Sequence, residues 1–219
     1  MPAGPSLHLQ PRQPLQARSA ARYEALLDAV EAIYAEAGLD GVGIPAVARR
    51  AGMAPASVYH LFPSAEALVL GLARRYFARF AAMLEAEAAI EADRWADVYG
   101  WFVDRARQIY RDNPAVMAVL LGAGTLRAVE TADRDLVRGL AERMVDLLAR
   151  RFVLTPDARL VDRVEIATSL VDAVWALAYR RHGDIDDVHG AEARDAAIAY
   201  LELHIPRHLP PRTRSGSNP

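Results

Sequence analysis

Three prolines and one glycine between residues 45 and 63 limit this part of the chain to very short helices. Pro45 and Pro55 each stand where a first helical residue would lie, and there the missing N–H costs nothing. Gly52, between them, permits a tight left-handed turn, and Pro63 ends the second segment. The pattern therefore predicts two short helices joined by a sharp turn, the second running from Pro55 to Phe62.

Long amphipathic helices are predicted on both sides of this segment. Apolar residues recur at spacings of three and four from about 17 to 37, where Gly38 ends the helix, and again after Ser64, the predicted N-cap of a helix that extends to about Ile90. Further helices are predicted up to Asn113, over a short apolar run after it, and over about 125–152, 156–182 and 191–204. No run alternates with period two, so we predict an all-α protein of about nine helices.

Composition excludes several functional classes. The 219 residues include no Cys, which rules out disulfides, thiolate zinc sites and a Cys nucleophile. No paired catalytic groups or phosphate-binding glycine loop occur, so we expect neither an enzyme nor a bound cofactor. The longest uncharged runs are too short to span a bilayer and no signal peptide is recognisable, so we expect a soluble, cytoplasmic protein without a membrane partner.

The two short helices have the mechanics of a helix-turn-helix. Inward positions are small or apolar, and the second helix keeps one side exposed, as needed to enter a major groove with its first residues facing base edges. The exposed set is Pro55, Ala56, Ser57, Tyr59 and His60. A helix-turn-helix taken alone also occurs as a purely structural corner between two helices.

The segment AGMAPASVYHLFPSAEAL, preceded by a helix of about twenty residues, resembles the TetR family of bacterial transcriptional regulators over about residues 19–70. The resemblance implies an amino-terminal three-helix DNA-binding domain, joined by a long helix to a larger helical domain for ligand binding and dimerisation. It implies a homodimer that reads a palindromic operator in double-stranded DNA and is released by a small-molecule effector, as expected of a repressor. On this basis we predict a disordered arm over 1–16, the DNA-binding domain over 17–66, the larger domain over 67–208 and a flexible tail over 209–219.

Three positions depart from the family pattern. Ala54 stands where a Ser or Thr often caps the recognition helix, Ala65 where a Lys often contacts phosphate, and Leu61 where a polar or aromatic phosphate partner is common. Each change removes a helix-capping or DNA contact. An alternative interpretation is therefore an all-helical small-molecule-binding or interaction protein whose DNA binding is weakened or lost.

Charge gives only local support for DNA binding. Residues 1–66 contain five arginines and six acids, a net charge of −1, whereas a nucleic-acid domain is usually basic. The five arginines flank the first two helices and could attract the phosphate backbone, or could be ordinary solvated side chains. They are Arg12, Arg18, Arg22, Arg49 and Arg50, and we predict Arg18, Arg22 and Arg49 among the DNA contacts.

Aromatic and Met side chains of the larger domain suggest an apolar pocket, since they combine large contact area with adaptable shape. The resemblance places them on helices that wall the ligand cavity, although a stripe of this kind can equally be core. The candidate ligand-binding residues are Tyr99, Phe102, Met117, Met144 and Trp175.

The predicted helix from Pro156 is apolar on nearly every side, so a second copy is expected to cover one face together with the last helix. The candidate dimer residues are Val164, Val171, Val174, Ile198, Leu201 and Ile205. No metal site is predicted, because Pro206 breaks the helix that would align His204 with His208, and His182 and His189 look isolated.

Overall fold

The computed structural model describes residue 11 and residues 17–86, 92–122 and 127–212, without the side chains of 17–18 and 127–134. Within these ranges the chain forms nine α-helices and no strand, which confirms the all-α prediction. The predicted arm over 1–16, apart from Pro11, and residues 213–219 of the predicted tail lie outside the described residues.

The helices follow one another with short connections. Their bounds are α1 Ala17–Gly41, α2 Ile44–Arg50, α3 Pro55–Leu61, α4 Ala65–Glu85, α5 Trp95–Asp112, α6 Pro114–Leu121, α7 Arg127–Arg151, α8 Ala158–His182 and α9 Asp187–Glu202. Gly38 interrupts α1 at the predicted position, with a φ of 66°. Ser64 caps α4 as predicted, because its Oγ accepts a hydrogen bond of 3.1 Å from the Ala67 N–H.

The chain divides into two compact units. Unit 1 contains the described residues of 1–77 and 112–134, and unit 2 contains the described residues of 78–111 and 135–219. Helix α4 runs from the first unit into the second, and α6 belongs to unit 1, where it contacts α1. The functional boundary predicted between residues 66 and 67 remains a prediction.

The core of unit 1 joins the helix-turn-helix to α1 and α4. Leu26, Leu27 and Val30 on α1 are fully buried, as are Val47 on α2 and Val58 on α3. These apolar contacts hold the two short helices, which are too short to be stable in isolation.

Unit 2 is built around α8 and α9, which pack along each other. Asp157 caps the start of α8 by accepting a 2.7 Å hydrogen bond from the Leu160 N–H, and Gly183, with a φ of 72°, ends the helix. The Asp186 side chain caps α9, so this helix begins at Asp187 and not near Ala191 as predicted. Helix α4 ends at Glu85, short of the predicted Ile90.

The segment after α9 is bonded back to unit 2. The Trp95 indole N–H donates to the Pro206 carbonyl at 2.8 Å, and the Val153 and Arg212 N–H groups donate to the carbonyls of Pro210 and Arg151 at 2.8 and 2.7 Å. The described part of the predicted flexible tail is therefore held by backbone hydrogen bonds.

Within the described ranges, no single helix combines the length and apolar character needed to cross a membrane. Helices α3 and α4 meet such a criterion only as a pair bent by 59°.

Candidate nucleic-acid interface

The turn between α2 and α3 is formed by backbone contacts around one glycine. Gly52 adopts a φ of 64°, and the Met53 N–H donates to the Ala48 carbonyl at 2.9 Å, which closes the turn. Helix α3 starts with Pro55 in its first turn, and its N-cap residue Ala54 makes no side-chain hydrogen bond. A proline ring thus sets the start of α3, where a capping hydroxyl would be common.

Helix α3 has one buried and one exposed side. Val58 and Leu61 are buried, so Leu61 supports the core and does not face outward to a phosphate. The five residues predicted to face DNA are all exposed, and 54% of the surface of Tyr59 is accessible. These are Pro55, Ala56, Ser57, Tyr59 and His60.

A shallow cleft brings the start of α1 next to this exposed side. Arg22 and Ser19 of α1 line it opposite Ala56, Ser57 and His60 of α3. The cleft therefore combines one guanidinium group, two hydroxyls and an imidazole, all of which can donate hydrogen bonds to phosphate or base edges.

The other arginines considered for DNA binding differ in their exposure and in their ion-pair partners. Arg49 is exposed at the end of α2. Its neighbour Arg50 donates to Glu36 Oε2 at 2.6 Å, and this hydrogen bond lowers the pKa of the Glu36 carboxyl. Arg50 thus forms an exposed ion pair within the chain. Arg12 and the side chain of Arg18 lie outside the described part of the chain.

Close packing between α1, α3 and α4 supports the interface from behind. The rings of Tyr23 and Phe62 stack at 4.7 Å, and Gly71 of α4 lies against both. A Cβ at Gly71 would lie 2.7 Å from Phe62, so a larger residue would push α4 away from this stack. Burial also raises the pKa of the Tyr23 phenol.

An ionic cluster that no local sequence pattern predicts joins α4 to α1. The Arg75 guanidinium lies 2.6 Å from Asp28 Oδ1 and 3.6 Å from Glu24 Oε2, and it also donates to Glu31. The Tyr76 hydroxyl donates to Glu31 Oε1 at 2.7 Å and lies 2.8 Å from Asn113 Oδ1, at the start of α6. One acidic side of α1 therefore holds both α4 and α6 within unit 1.

The five candidate ligand-binding residues are all buried, but they do not lie in one unit. Tyr99, Phe102, Met144 and Trp175 belong to the core of unit 2, whereas Met117 lies on α6 in unit 1. These four residues of unit 2 remain candidates for a pocket lining, and their burial alone is equally the property of a core.

Two of these side chains carry polar groups inside the apolar core of unit 2. The Tyr99 hydroxyl lies 3.5 Å from Thr168 Oγ1, and burial raises the pKa of the phenol. The Trp175 indole Nε1 is buried without a hydrogen-bond partner, while its ring packs edge-on to Tyr110 at 5.5 Å. An unsatisfied buried donor costs about 1–3 kcal/mol, so an acceptor at this position would be stabilising.

The candidate dimer residues fall into two groups. Val174 and Ile198 are half-buried, and the other four pack inside unit 2. Those four are Val164, Val171, Leu201 and Ile205. Two large apolar side chains outside this predicted set, Ile166 and Leu170, are exposed on α8 at 40% and 37%.

The structure corrects one prediction about the histidines. His182 and His189 are not isolated, because the turn between α8 and α9 brings their rings to a centroid distance of 5.4 Å. Asp186 lies between them, and its Oδ2 is 2.8 Å from His189 Nδ1. The sequence spacing does not predict this contact, because His182 and His189 lie on different helices separated by a turn.

Two family profiles match this chain, one in its amino-terminal part and one in its carboxy-terminal part. Residues 26–72 match the profile of bacterial regulatory proteins of the tetR family, and residues 93–205 match that of the tetracyclin repressor-like C-terminal domain. No protein in a search of curated sequences matches at a significant level.

Solved structures share the fold. A TetR-family transcriptional regulator from Streptomyces coelicolor is 26% identical, with 86% of this chain and 99% of that chain covered at a TM-score of 0.66. A TetR regulator from Rhodococcus sp. RHA1 is 19% identical, with coverages of 86% and 100% and a TM-score of 0.68. SmeT, the repressor of the Stenotrophomonas maltophilia multidrug efflux pump SmeDEF, is 18% identical, with coverages of 83% and 90% and a TM-score of 0.57.

A helix-turn-helix with an exposed second helix, followed in the described residues by further helices, is the architecture of a class of DNA-binding transcriptional regulators. With both parts matched by family profiles, the chain belongs to the TetR family of bacterial regulatory proteins.

Proposed function

We propose that this regulator is a homodimeric, non-enzymatic repressor that binds a palindromic operator through α3 and is released by a small, largely apolar ligand. The observation that carries the proposal is the exposed side of α3, where the five predicted contact residues lie beside Arg22 of α1. Because its target is chromosomal DNA, we place the protein in the cytoplasm.

Each exposed residue of α3 has a distinct part in the proposed interface. The Ser57 hydroxyl lies in the first turn of the helix and would donate to base edges or phosphate. Tyr59 projects into solvent and would donate its hydroxyl to a phosphate oxygen. Arg22 and Arg49 would supply the charge that displaces counterions from the DNA backbone.

The number of phosphate contacts is small, and this sets the expected salt dependence. Ala54 and Ala65 offer no contact, Leu61 is buried, and Arg50 is paired with Glu36. Log affinity falls with log salt concentration, and each phosphate contact that is missing makes this slope shallower by about 0.9. We therefore propose that specificity depends more on base and hydroxyl contacts than on charge.

The ligand is proposed to bind among the buried aromatic and Met side chains of unit 2. Their apolar surfaces favour an apolar compound, and the unpaired Trp175 Nε1–H favours one that carries a hydrogen-bond acceptor. Helix α4 contributes residues to both units, so a ligand that displaced its second half would also act on the half that contacts α1.

Dimerisation is proposed to use the exposed side of α8 together with α9. Ile166 and Leu170 leave apolar surface in water, at a cost of about 25 cal/mol per Å² that a second copy would remove. A two-fold related pair would present two α3 helices, and operator binding requires a separation of about 34–36 Å.

The test is a mobility-shift titration with the DNA that flanks the protein's own gene, at two salt concentrations. Ser57→Ala and Tyr59→Ala should each weaken specific binding about tenfold, because a lost contact of this kind is worth about 1–3 kcal/mol. Val153→Ala, which trims an exposed side chain of unit 2 outside α8 and α9, is the control and should bind as the unmodified protein does.

A second function is favoured by the alanines at positions 54 and 65. If affinity for the flanking DNA is unaffected by both substitutions on α3, the chain is better described as a small-molecule-binding or interaction protein that has lost operator recognition.

A further inference from the structure

The turn between α8 and α9 holds two histidines and a carboxylate in a fixed arrangement. Helix α8 ends at His182, and Gly183 closes it in the left-handed conformation, with its N–H donating to the Tyr179 carbonyl at 2.8 Å. Asp186 then caps α9 by accepting from the His189 N–H at 2.9 Å. Both helix ends are therefore stabilised, which fixes the backbone positions of His182, Asp186 and His189 relative to one another.

The potential ligand atoms of these three residues all lie within 4.8 Å of one another. His189 Nδ1 is 2.8 Å from Asp186 Oδ2, and His182 Nε2 is 4.0 Å from the same oxygen. Around a tetrahedral ion with bonds of about 2.0–2.1 Å, ligand atoms are roughly 3.3–3.5 Å apart. Side-chain rotations that move these atoms by less than about 1 Å would reach that spacing.

Neighbouring charges leave the Asp186 carboxylate available to a cation. The Arg107 guanidinium donates to the Ile185 carbonyl at 2.8 Å and to Asp187 Oδ1 at 2.6 Å. Arg111 lies 3.5 Å from Asp184 Oδ2 and 3.7 Å from Asp187 Oδ1. The positive charges of Arg107 and Arg111 are thus paired with the carboxylates of Asp184 and Asp187.

We propose that His182, Asp186 and His189 bind a divalent transition-metal ion, with Zn²⁺ as the best fit. Two imidazoles and one carboxylate are ligands that Zn²⁺ prefers, whereas Mg²⁺ and Ca²⁺ prefer oxygen ligands alone. The side chain of His182 is 50% exposed and that of His189 is 21% exposed, so an ion can enter from solvent. Three protein ligands leave a fourth position for water, and the bound ion joins the end of α8 to the first turn of α9.

The first experiment measures Zn²⁺ binding by calorimetry, using the full chain without a tag after treatment with a chelator. We expect saturable binding of one ion per chain and a higher midpoint of thermal unfolding, because the ion binds the folded arrangement. Mg²⁺ at the same concentrations should produce neither effect. Co²⁺ should bind at the same site and give the visible absorption of a four-coordinate ion.

Single substitutions then assign the ligands. His182→Ala and His189→Ala should each lower Zn²⁺ affinity by at least about tenfold. Asp186→Asn should do the same while retaining the helix cap, since Asn caps about as well as Asp. The double substitution His204→Ala with His208→Ala is the matched control, because it removes two exposed histidines outside the cluster and should leave binding unchanged.

Two results would overturn the proposal. One is the absence of saturable Zn²⁺ binding to the unmodified chain. The other is binding that persists at full strength in the folded His182→Ala and His189→Ala proteins, with folding verified by circular dichroism. Neither result bears on operator binding, so the metal site and the proposed repressor function can fail separately.

Discussion

Arg75 is the residue whose role depends most on the tertiary structure. Only 8% of its side chain is exposed, and it is surrounded by Glu24, Asp28 and Glu31 of α1, with its own Nε buried and unpaired. Its three partners lie some 44 to 51 positions earlier in the chain, and no local pattern in the sequence relates them to it. The cluster instead follows from how α4 packs on α1.

Replacing Arg75 with Met should therefore destabilise unit 1. The substitution keeps the apolar stem but leaves three carboxylates without their cation, so we expect the free energy of unfolding to fall by about 1–3 kcal/mol. Urea denaturation followed by circular dichroism measures this change. Arg50→Met is the matched control, since its pair with Glu36 is exposed and its removal should have little effect. Equal losses from both substitutions would contradict the assignment.

At the scale of single elements, helix α3 lacks the side-chain hydrogen bond that commonly caps a helix N-terminus. Its N-cap residue, Ala54, has an extended backbone conformation that suits a capping side chain, yet it supplies no hydrogen-bond acceptor. Ala54→Ser should therefore stabilise the protein by about 1 kcal/mol, as measured by the midpoint of thermal unfolding. Ala56→Ser adds the same hydroxyl inside the helix and should give no such gain. A lower midpoint for Ala54→Ser would show that the turn excludes the hydroxyl.

Element boundaries were predictable where a local signal sets them. Pro55 and Ser64 mark helix starts in the structure, and Gly38 interrupts α1, because prolines, caps and left-handed glycines act through neighbouring residues. The predicted start of α9 near Ala191 is wrong, because the Asp186 cap starts the helix four residues earlier. In the structure Gly190 lies inside the helix, where a Cβ would be 2.6 Å from Arg107 Nε, so a distant side chain explains this glycine.

At the scale of the whole molecule, the least predictable feature was which side of α8 faces outward. The helix carries apolar residues on nearly all sides, so periodicity could not separate its inner side from its outer side. The packing of the folded chain determines which side faces inward, since Val164 and Val171 are buried, whereas Ile166 and Leu170 are exposed. The exposed side of α3 was predictable, by contrast, because its polar and apolar residues alternate with the helical period.

The proposed dimer makes a prediction at this scale. Ile166→Glu combined with Leu170→Glu places two charges on the exposed side of α8, and we expect a monomer in sedimentation velocity and loss of operator binding. The control is Val153→Glu, which changes another exposed apolar residue at 56% accessibility and should leave the dimer intact. A doubly substituted protein that remains dimeric would place the interface elsewhere.

The hydrogen bonds that follow α9 have a practical consequence for shortened versions of the protein. A chain cut after Glu202 would lose the Pro206 carbonyl that accepts from Trp95, as well as the pairing of residues 210–212 with 151–153. The indole of a fully buried tryptophan would then be left without its acceptor at the first residue of α5. Truncated proteins made for crystallisation or labelling should therefore retain the chain through Arg212.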